Sequence, residues 1–196
     1  MEPILYDTHA HVNFNAYKDD GIDVIRRSLN AGVWMNLVGS QIDTSKRAVE
    51  YAEKYEKGVY AIVGLHPVHL FSVHVDEEET TFKTREEAFN PEAYRALARS
   101  KKVIAIGECG LDYYRLDDYL KQNLHDHSAP SITAAQGAVK VKQEGIFKQQ
   151  IALASELDLP LMIHCRDAND DLIRVVREYR QKNTRGVMHC FLGTWE

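Results

Sequence analysis

Apolar residues in this chain fall into short runs, and between the runs they recur every three or four positions. That is the signature of strands alternating with amphipathic helices. The apolar runs are Ile4 to His11, Val33 to Val38, Val59 to Val63, Val103 to Gly107, Leu161 to His164 and Gly186 to Cys190. The first reads as a buried strand that ends in His-x-His. Asp19 or Asp20 can start a helix over Gly21 to Ala31, which Gly32 stops. A second helix, capped by Asp43 or Thr44, carries Ala48, Ala52 and Tyr55 on one stripe and ends at Gly58. Pro91 suits the first turn of a third, with Asn90 as its cap. Gln143 to Leu157 is strongly helical, and Asp167 caps a last helix reaching about Lys182. Two polar stretches interrupt the pattern. Residues 70–90, with Asp76-Glu-Glu-Glu at their centre, read as a surface insertion, and residues 116–141 as a second insertion or mobile loop.

Strict alternation implies parallel strands joined by right-handed crossovers, a single α/β domain over 1–196. The polar residues at the strand ends then change the picture. His9 and His11 close the first strand, Glu108 the fourth, His164 the fifth and His189 the sixth. Alternation points His9 and His11 to the same side. In a (β/α) barrel the strand ends converge on one rim, so four imidazoles and a carboxylate would meet there. Any one of them alone would be an ordinary core histidine or a solvated carboxylate. Together they form a metal-ligand set, and a binuclear site fits it best. Glu108 can bridge two divalent ions, with His9 and His11 on one and His164 and His189 on the other. Histidine-rich ligation favours zinc, manganese or related ions, with magnesium still open.

Composition narrows the classes further. The chain has 196 residues, 44% hydrophobic and 27% charged, enough to bury one sizeable core. A net charge of −5 argues against a protein that coats duplex nucleic acid, though not against a local basic pocket. Three cysteines suggest reduced thiols. No run is long enough to span a membrane and no leader pattern is present, so the expected location is the cytoplasm.

Five segments carry a family resemblance: Asp7-Thr-His-Ala-His, Gly64-Leu-His-Pro, Ile106-Gly-Glu-Cys-Gly-Leu-Asp-Tyr-Tyr-Arg, Leu159-Pro-Leu-Met-Ile-His-Cys-Arg-Asp-Ala and His189-Cys-Phe-Leu-Gly. In this order they resemble the TatD family of metal-dependent deoxyribonucleases. The resemblance implies a TIM-type (β/α)8 barrel, two divalent ions (Mg, Mn or Zn), and hydrolysis of DNA phosphodiesters as a 3'-5' exonuclease on single strands or ends. It implies His9, His11, Glu108, His164 and His189 as metal ligands, with Glu108 the catalytic bridge and His66 and Arg166 gripping substrate phosphate. Family members continue for about two more strand-helix units, and a late strand supplies a metal-binding aspartate. About six of eight units are therefore expected here, an incomplete barrel.

Two other functions compete. One is an amidohydrolase-type hydrolase of small amides or lactones, the other an inactive metal-binding remnant. Asn13 stands where a histidinol-phosphatase-like His-x-His-x-His would need histidine. Cys109, Cys165 and Cys190 each follow a ligand and read as small buried hydrophobes. His125 and His127 repeat the His-x-His spacing, but in a polar stretch that reads as a solvated loop. Tyr113 and Tyr114 could stack on bases or pack within their loop.

Overall fold

The structure is a computed structural model. It describes residues 2–72, 74–77, 80–84, 86–124, 128–180 and 184–194, with residues 74–77, 80–83 and 129 through their backbone alone. In chain order the strands are β1 (Leu5–Ala10), β2 (Val33–Val38), β3 (Val59–Val63), β4 (His74–Glu77), β5 (Thr80–Lys83), β6 (Val103–Asp112), β7 (Leu161–Arg166) and β8 (Gly186–Met188). The helices are α1 (Gly21–Asn30), α2 (Ile42–Ala52), α3 (Pro91–Leu97), α4 (Leu116–Asn123), α5 (Ala129–Glu156) and α6 (Asn169–Glu178). Six strands form one curled, all-parallel sheet in the order β1-β2-β3-β6-β7-β8, which is the incomplete barrel expected from six strand-helix units.

The inner strands are buried on both faces, which is why they read as unbroken apolar runs. Met35, Leu37, Ala61, Val63, Ile106, Leu161 and Ile163 face the helices, meeting Ile25, Ala48, Tyr94, Phe147, Ile151 and Val175. The residues between them, Val38, Ile62, Ala105 and Met162, form a second, smaller cluster on the other side of the sheet. Asn90 caps α3 as expected, accepting from the backbone N–H groups of Glu92 and Ala93. Gln41, rather than Asp43 or Thr44, caps α2, and Thr44 returns its hydroxyl to the Gln41 backbone N–H.

Several expectations need correction. The first strand is not buried. It is an edge, with Ile4 80% and Leu5 64% exposed, because among the described residues only β2 pairs with it. The fourth does not stop at Gly107 but runs on through Glu108 to Asp112, still hydrogen-bonded to β7. Residues 116–141 are mostly helix, α4 and then the first half of α5. Pro130 sits in the first turn of α5, where its missing N–H is harmless. Residues 70–90 contain a short antiparallel hairpin, β4 with β5. Asp167 is not the cap of α6; it takes a left-handed φ of 56° in the turn, and Ala168 holds the cap position. Cys109 is buried, Cys165 half-buried and Cys190 exposed. His125, His127 and Lys182 lie outside the described residues.

Register slips mark both functional strands. Between Asp7 and Ala10 in β1, and between Ile106 and Cys109 in β6, one extra residue stands opposite the partner strand. Such bulges re-aim side chains, and these two flank His9 and Glu108. Next to the second, Gly110 has φ +141° and packs so closely on β7 that a Cβ would lie 2.0 Å from the His164 carbonyl oxygen.

The contrast between two glycines is testable. Gly110→Ala should lower the melting temperature, since strain at positive φ alone costs about 1–3 kcal/mol. Gly137→Ala, in α5 with nothing near its Cβ, should raise stability by about 0.5–1 kcal/mol. Denaturant melts showing the reverse order would contradict this account of the β6–β7 contact. The two sheet edges give a second expectation. Among the described residues the outer edges of β1 and β8 pair with no strand, and this backbone beside exposed Ile4, Leu5 and Val187 (60% exposed) favours edge pairing. Light scattering should show concentration-dependent association that Val187→Lys reduces. A monomer at every concentration would refute it.

Candidate metal centre and active site

Backbone hydrogen bonds across the sheet's rim set each functional side chain. Glu108 N–H donates to the Gly39 carbonyl, His66 N–H to that of Ser40, and His189 N–H to that of Ile163. These tie β6 and the turn after β3 to the end of β2, and the residue beyond β8 to β7. Asn13, fully buried, donates to the carbonyls of Val38 and Thr44 and so holds the loop after β1. That is the local role of the residue standing where a third histidine would otherwise be.

The five residues singled out as ligands come together. Glu108 is buried, 4% exposed, at the centre. His9 Nε2 lies 3.3 Å from its Oε2 and His11 Nε2 4.0 Å away. On the other oxygen, Oε1, His189 Nε2 lies at 2.5 Å, His164 Nδ1 at 3.2 Å and His66 Nε2 at 3.6 Å. The grouping differs from the expected pairing. Among the described residues, two sets have ligand atoms all within 4.8 Å of one another, His9–Glu108–His189 and His66–Glu108–His164, so His189 groups with His9 and His66 with His164. All line one cleft of about 270 Å³, with Arg166, Arg115, Asp112 and Phe14 also on its wall.

The donor set suits divalent metal. His189 Nε2 and His9 Nδ1 are buried with no hydrogen-bond partner among the described residues, although His189 Nε2 almost touches the carboxylate. Hydrogen bonds also decide which nitrogens are free to ligate. His11 Nδ1 faces the Val38 carbonyl at 3.1 Å, so it carries the proton and leaves Nε2 open. His164 Nε2 faces the Asp112 carboxylate at 3.0 Å and leaves Nδ1 open toward Glu108. His66 is the opposite case. Its Nδ1 accepts from the Val68 N–H at 3.1 Å, so in the neutral ring the proton sits on Nε2, aimed into the cleft. His66 is therefore built as a donor.

The charges are set by this packing. Burial would raise the Glu108 carboxyl, but His66, His164, His189 and His9 around it hold it well below the usual carboxylate range. Burial, helped by His164, keeps His66 well below its ordinary value and hence neutral. His11 is lowered by burial too. His164 moves the other way: hydrogen bonds to Asp112 and Glu108 overcome its burial and push it up to about 9.

Sequence reasoning missed Asp112 and Arg115. Asp112 lies past the point where β6 was expected to end. Arg115 was within a recognised segment but carried no sign of its direction. Burial and the nearby Arg166 push its guanidinium pKa down, a pair of like charges on one wall. Arg166 lies 3.6 Å over the half-exposed Tyr114 ring. Tyr113 instead packs, its hydroxyl donating to Asp171 on α6.

The chain is similar to known proteins in sequence and fold. Residues 6–196 match the profile of the TatD related DNases. The chain belongs to that family. Bacillus subtilis YabD, named an uncharacterized metal-dependent hydrolase, is 34% identical over 194 residues, covering 98% of this chain and 63% of YabD. A Pantoea ananatis protein named 3'-5' ssDNA/RNA exonuclease TatD is 31% identical over 98% of this chain and 62% of its own length. The crystal structure of YJJV, a TatD homologue from Escherichia coli K12, superposes with a TM-score of 0.69 at 26% identity, covering 97% of this chain and 61% of that one. The chain thus spans a little over three fifths of these relatives. No helix among the described residues is long and apolar enough to cross a membrane.

The His164 shift predicts a pH response of the metal-free chain. A pKa raised on folding adds stability that is complete below the unfolded value near 6.5 and is lost as pH climbs through about 9. In chelator, the stability advantage of the parent over His164→Gln should shrink across that window in calorimetric scans. An advantage that is constant or grows with pH would contradict the assignment.

Proposed function

We propose that this chain is a metal-dependent phosphodiesterase acting on single-stranded nucleic acid or its ends, in the 3'-5' exonuclease manner for which its Pantoea ananatis relative is named. One observation carries the reading: a buried carboxylate, Glu108, is faced from both oxygens by imidazoles from separate strand ends. His9, His11 and His189, with His164 through Nδ1, would hold two divalent ions against Glu108 as the shared carboxylate. Once bound, such ions supply hydroxide near neutral pH and neutralise charge on a phosphodiester.

The protein's own groups do the rest. The His66 Nε2–H, neutral and directed into the cleft, donates to a phosphate oxygen. Arg166, braced on Tyr114, supplies a planar fork suited to phosphate. Arg115 stands beside it, and an anion between the two guanidiniums relieves their mutual repulsion. Phe14 packs on the His11 ring, with centroids 4.3 Å apart, and braces it. A phosphodiester brings negative charge to a cleft wall that carries Arg115 and Arg166, which a neutral amide or lactone would not, so it fits the wall better than the amidohydrolase alternative.

The test uses 5'-labelled single-stranded DNA with manganese, magnesium or zinc. Degradation from the 3' end, abolished by chelator, is expected. Glu108→Ala should lower activity by at least about 10–100-fold, the usual cost of losing a ligand or its support. His66→Ala should lower kcat/KM by about 10–100-fold, the worth of a hydrogen bond to a charged group. Turnover indifferent to chelator, or equal in the parent and Glu108→Ala, would sink the proposal. Hydrolysis of small amides in place of DNA would favour the amidohydrolase reading.

A further inference from the structure

Behind the rim, α5 presents two buried glutamines two turns apart, Gln143 (4% exposed) and Gln150 (1% exposed). Residues seven apart share a helical face, and between these two lies fully buried Phe147. Each amide closes the same pair of hydrogen bonds with a sheet residue. Gln143 accepts from the Asp112 N–H at 2.8 Å and donates to the Asp112 carbonyl at 2.8 Å. Gln150 accepts from the Leu65 N–H at 2.9 Å and donates to the Leu65 carbonyl at 2.9 Å. Both clamped residues are inner neighbours of the site. Leu65 precedes His66. Asp112 receives the Arg115 N–H on Oδ1 at 3.3 Å, which leaves Oδ2 for His164 Nε2 at 3.0 Å.

We propose that Gln143 and Gln150 are positioning residues, through which α5 fixes Asp112, and with it His164, on one side of the centre, and His66 on the other. The role rests on the metal-centre reading above. Satisfying two backbone groups is the bland function of a buried amide. Three features argue for more than that. The two clamps repeat the same bidentate geometry. They fall at rim positions, where the strands have run out of ladder partners on that side. And Asp112 is itself buried, with one carboxylate oxygen committed to the backbone and the other to a ligand histidine. A carboxylate behind a metal-binding imidazole fixes the ring's orientation and its tautomer. Gln143 in turn fixes the backbone of the residue that carries this carboxylate. The two clamps divide the work: Gln143 acts on a ligand, Gln150 on a donor to substrate.

Cobalt binding tests this without any nuclease assay. Metal-free chain is titrated with Co²⁺ and followed by its visible absorption, and each variant is also melted without metal. Asp112→Ala and Gln143→Met should weaken Co²⁺ binding by about 10–100-fold, and Asp112→Asn, which keeps an acceptor for His164, by less than Asp112→Ala. Phe147→Leu loses core packing on the same helix face but touches neither clamp. It should lower stability while leaving Co²⁺ affinity and spectrum as in the parent. Gln150→Met should leave Co²⁺ affinity alone and weaken inorganic phosphate binding to the cobalt-loaded chain by about tenfold or more. Should Gln143→Met fail to fold, the Asp112→Ala and Asp112→Asn pair decides the Asp112–His164 link. The proposal is overturned if Asp112→Ala binds Co²⁺ like the parent, if Phe147→Leu and Gln143→Met lose affinity alike, or if Gln150→Met loses Co²⁺. A parent that binds no Co²⁺ overturns both this and the metal-centre reading. A parent that binds Co²⁺ but leaves DNA intact sinks only the nuclease.

Discussion

The rest of this molecule is arranged around a charge that must be kept where water is not. A carboxylate moved out of water costs several kcal/mol even after its surroundings relax, unless partners replace its hydration. Glu108 is 4% exposed and has no arginine or lysine in contact among the described residues; its partners are imidazoles. An imidazole can repay the cost in two ways, as a protonated donor or as a neutral ligand to a cation that then faces the carboxylate. Lysine could do only the first. Histidines on or just past β1, β3, β7 and β8 would keep the proposed centre convertible between a proton-bound and a metal-bound state, and His164, pushed up to about 9 by Asp112 and Glu108 against its burial, is where the two would compete most directly. Metal must displace that proton to bind.

That convertibility would be of little use if the rings could swing. Three of them are held by the far nitrogen, and the holder differs in kind. A backbone carbonyl holds His11, a carboxylate holds His164 and a backbone N–H holds His66. In the neutral ring, the acceptors behind His11 and His164 leave a lone pair facing inward, while the donor behind His66 leaves a proton facing inward. Histidines that look alike in the sequence are sorted by what stands behind them, not by their own placement. Spacing and strand-end position can gather a ligand set, but only the third dimension separates ligand from donor.

The sequence was most legible where burial is two-sided. Val59–Val63 appeared with its observed ends because both faces of β3 are packed, so no polar residue interrupts the run. Asn90 and Pro91 marked α3 because capping is a local interaction. The failures share a cause as well. β1 looked buried because Ile4, Leu5 and Tyr6 are apolar, yet apolar composition does not say whether a neighbour exists, and this edge has one on a single side only. The first half of α5 looked like a loop because its glycine, serine and lysine positions interrupt any apolar stripe, and its helicity is sustained by the buried second half of the same helix. β6 looked finished at Gly107 because Gly107 and Gly110 break the pattern, whereas in the fold they let the strand pass close against β7 without a side chain in the way. With the strand cut short, Asp112 dropped out of the candidate set, and Gln143 and Gln150 had no reason to attract notice in a helix rich in glutamine. The gathered site, His9, His11, Glu108, His164 and His189, was legible because each lies at or just past an apolar run, where rim geometry does the rest.

The two hydrophobic layers differ in what they can guarantee. The helix-side layer is broad, and α5 alone contributes Phe147, Ile151 and Ala154 to it. The opposite layer is a small cluster, Val38, Ile62, Ala105 and Met162. Strand positions at the rim are thus fixed chiefly from the helix side, where packing is dense enough that a shift in one strand is opposed by many contacts. The clamps at Asp112 and Leu65 come from that same side. A site governed from behind in this way keeps its cleft face free of structural duty. The arginines, Tyr114 and the His66 proton can then be presented to a ligand without being needed to hold the sheet together.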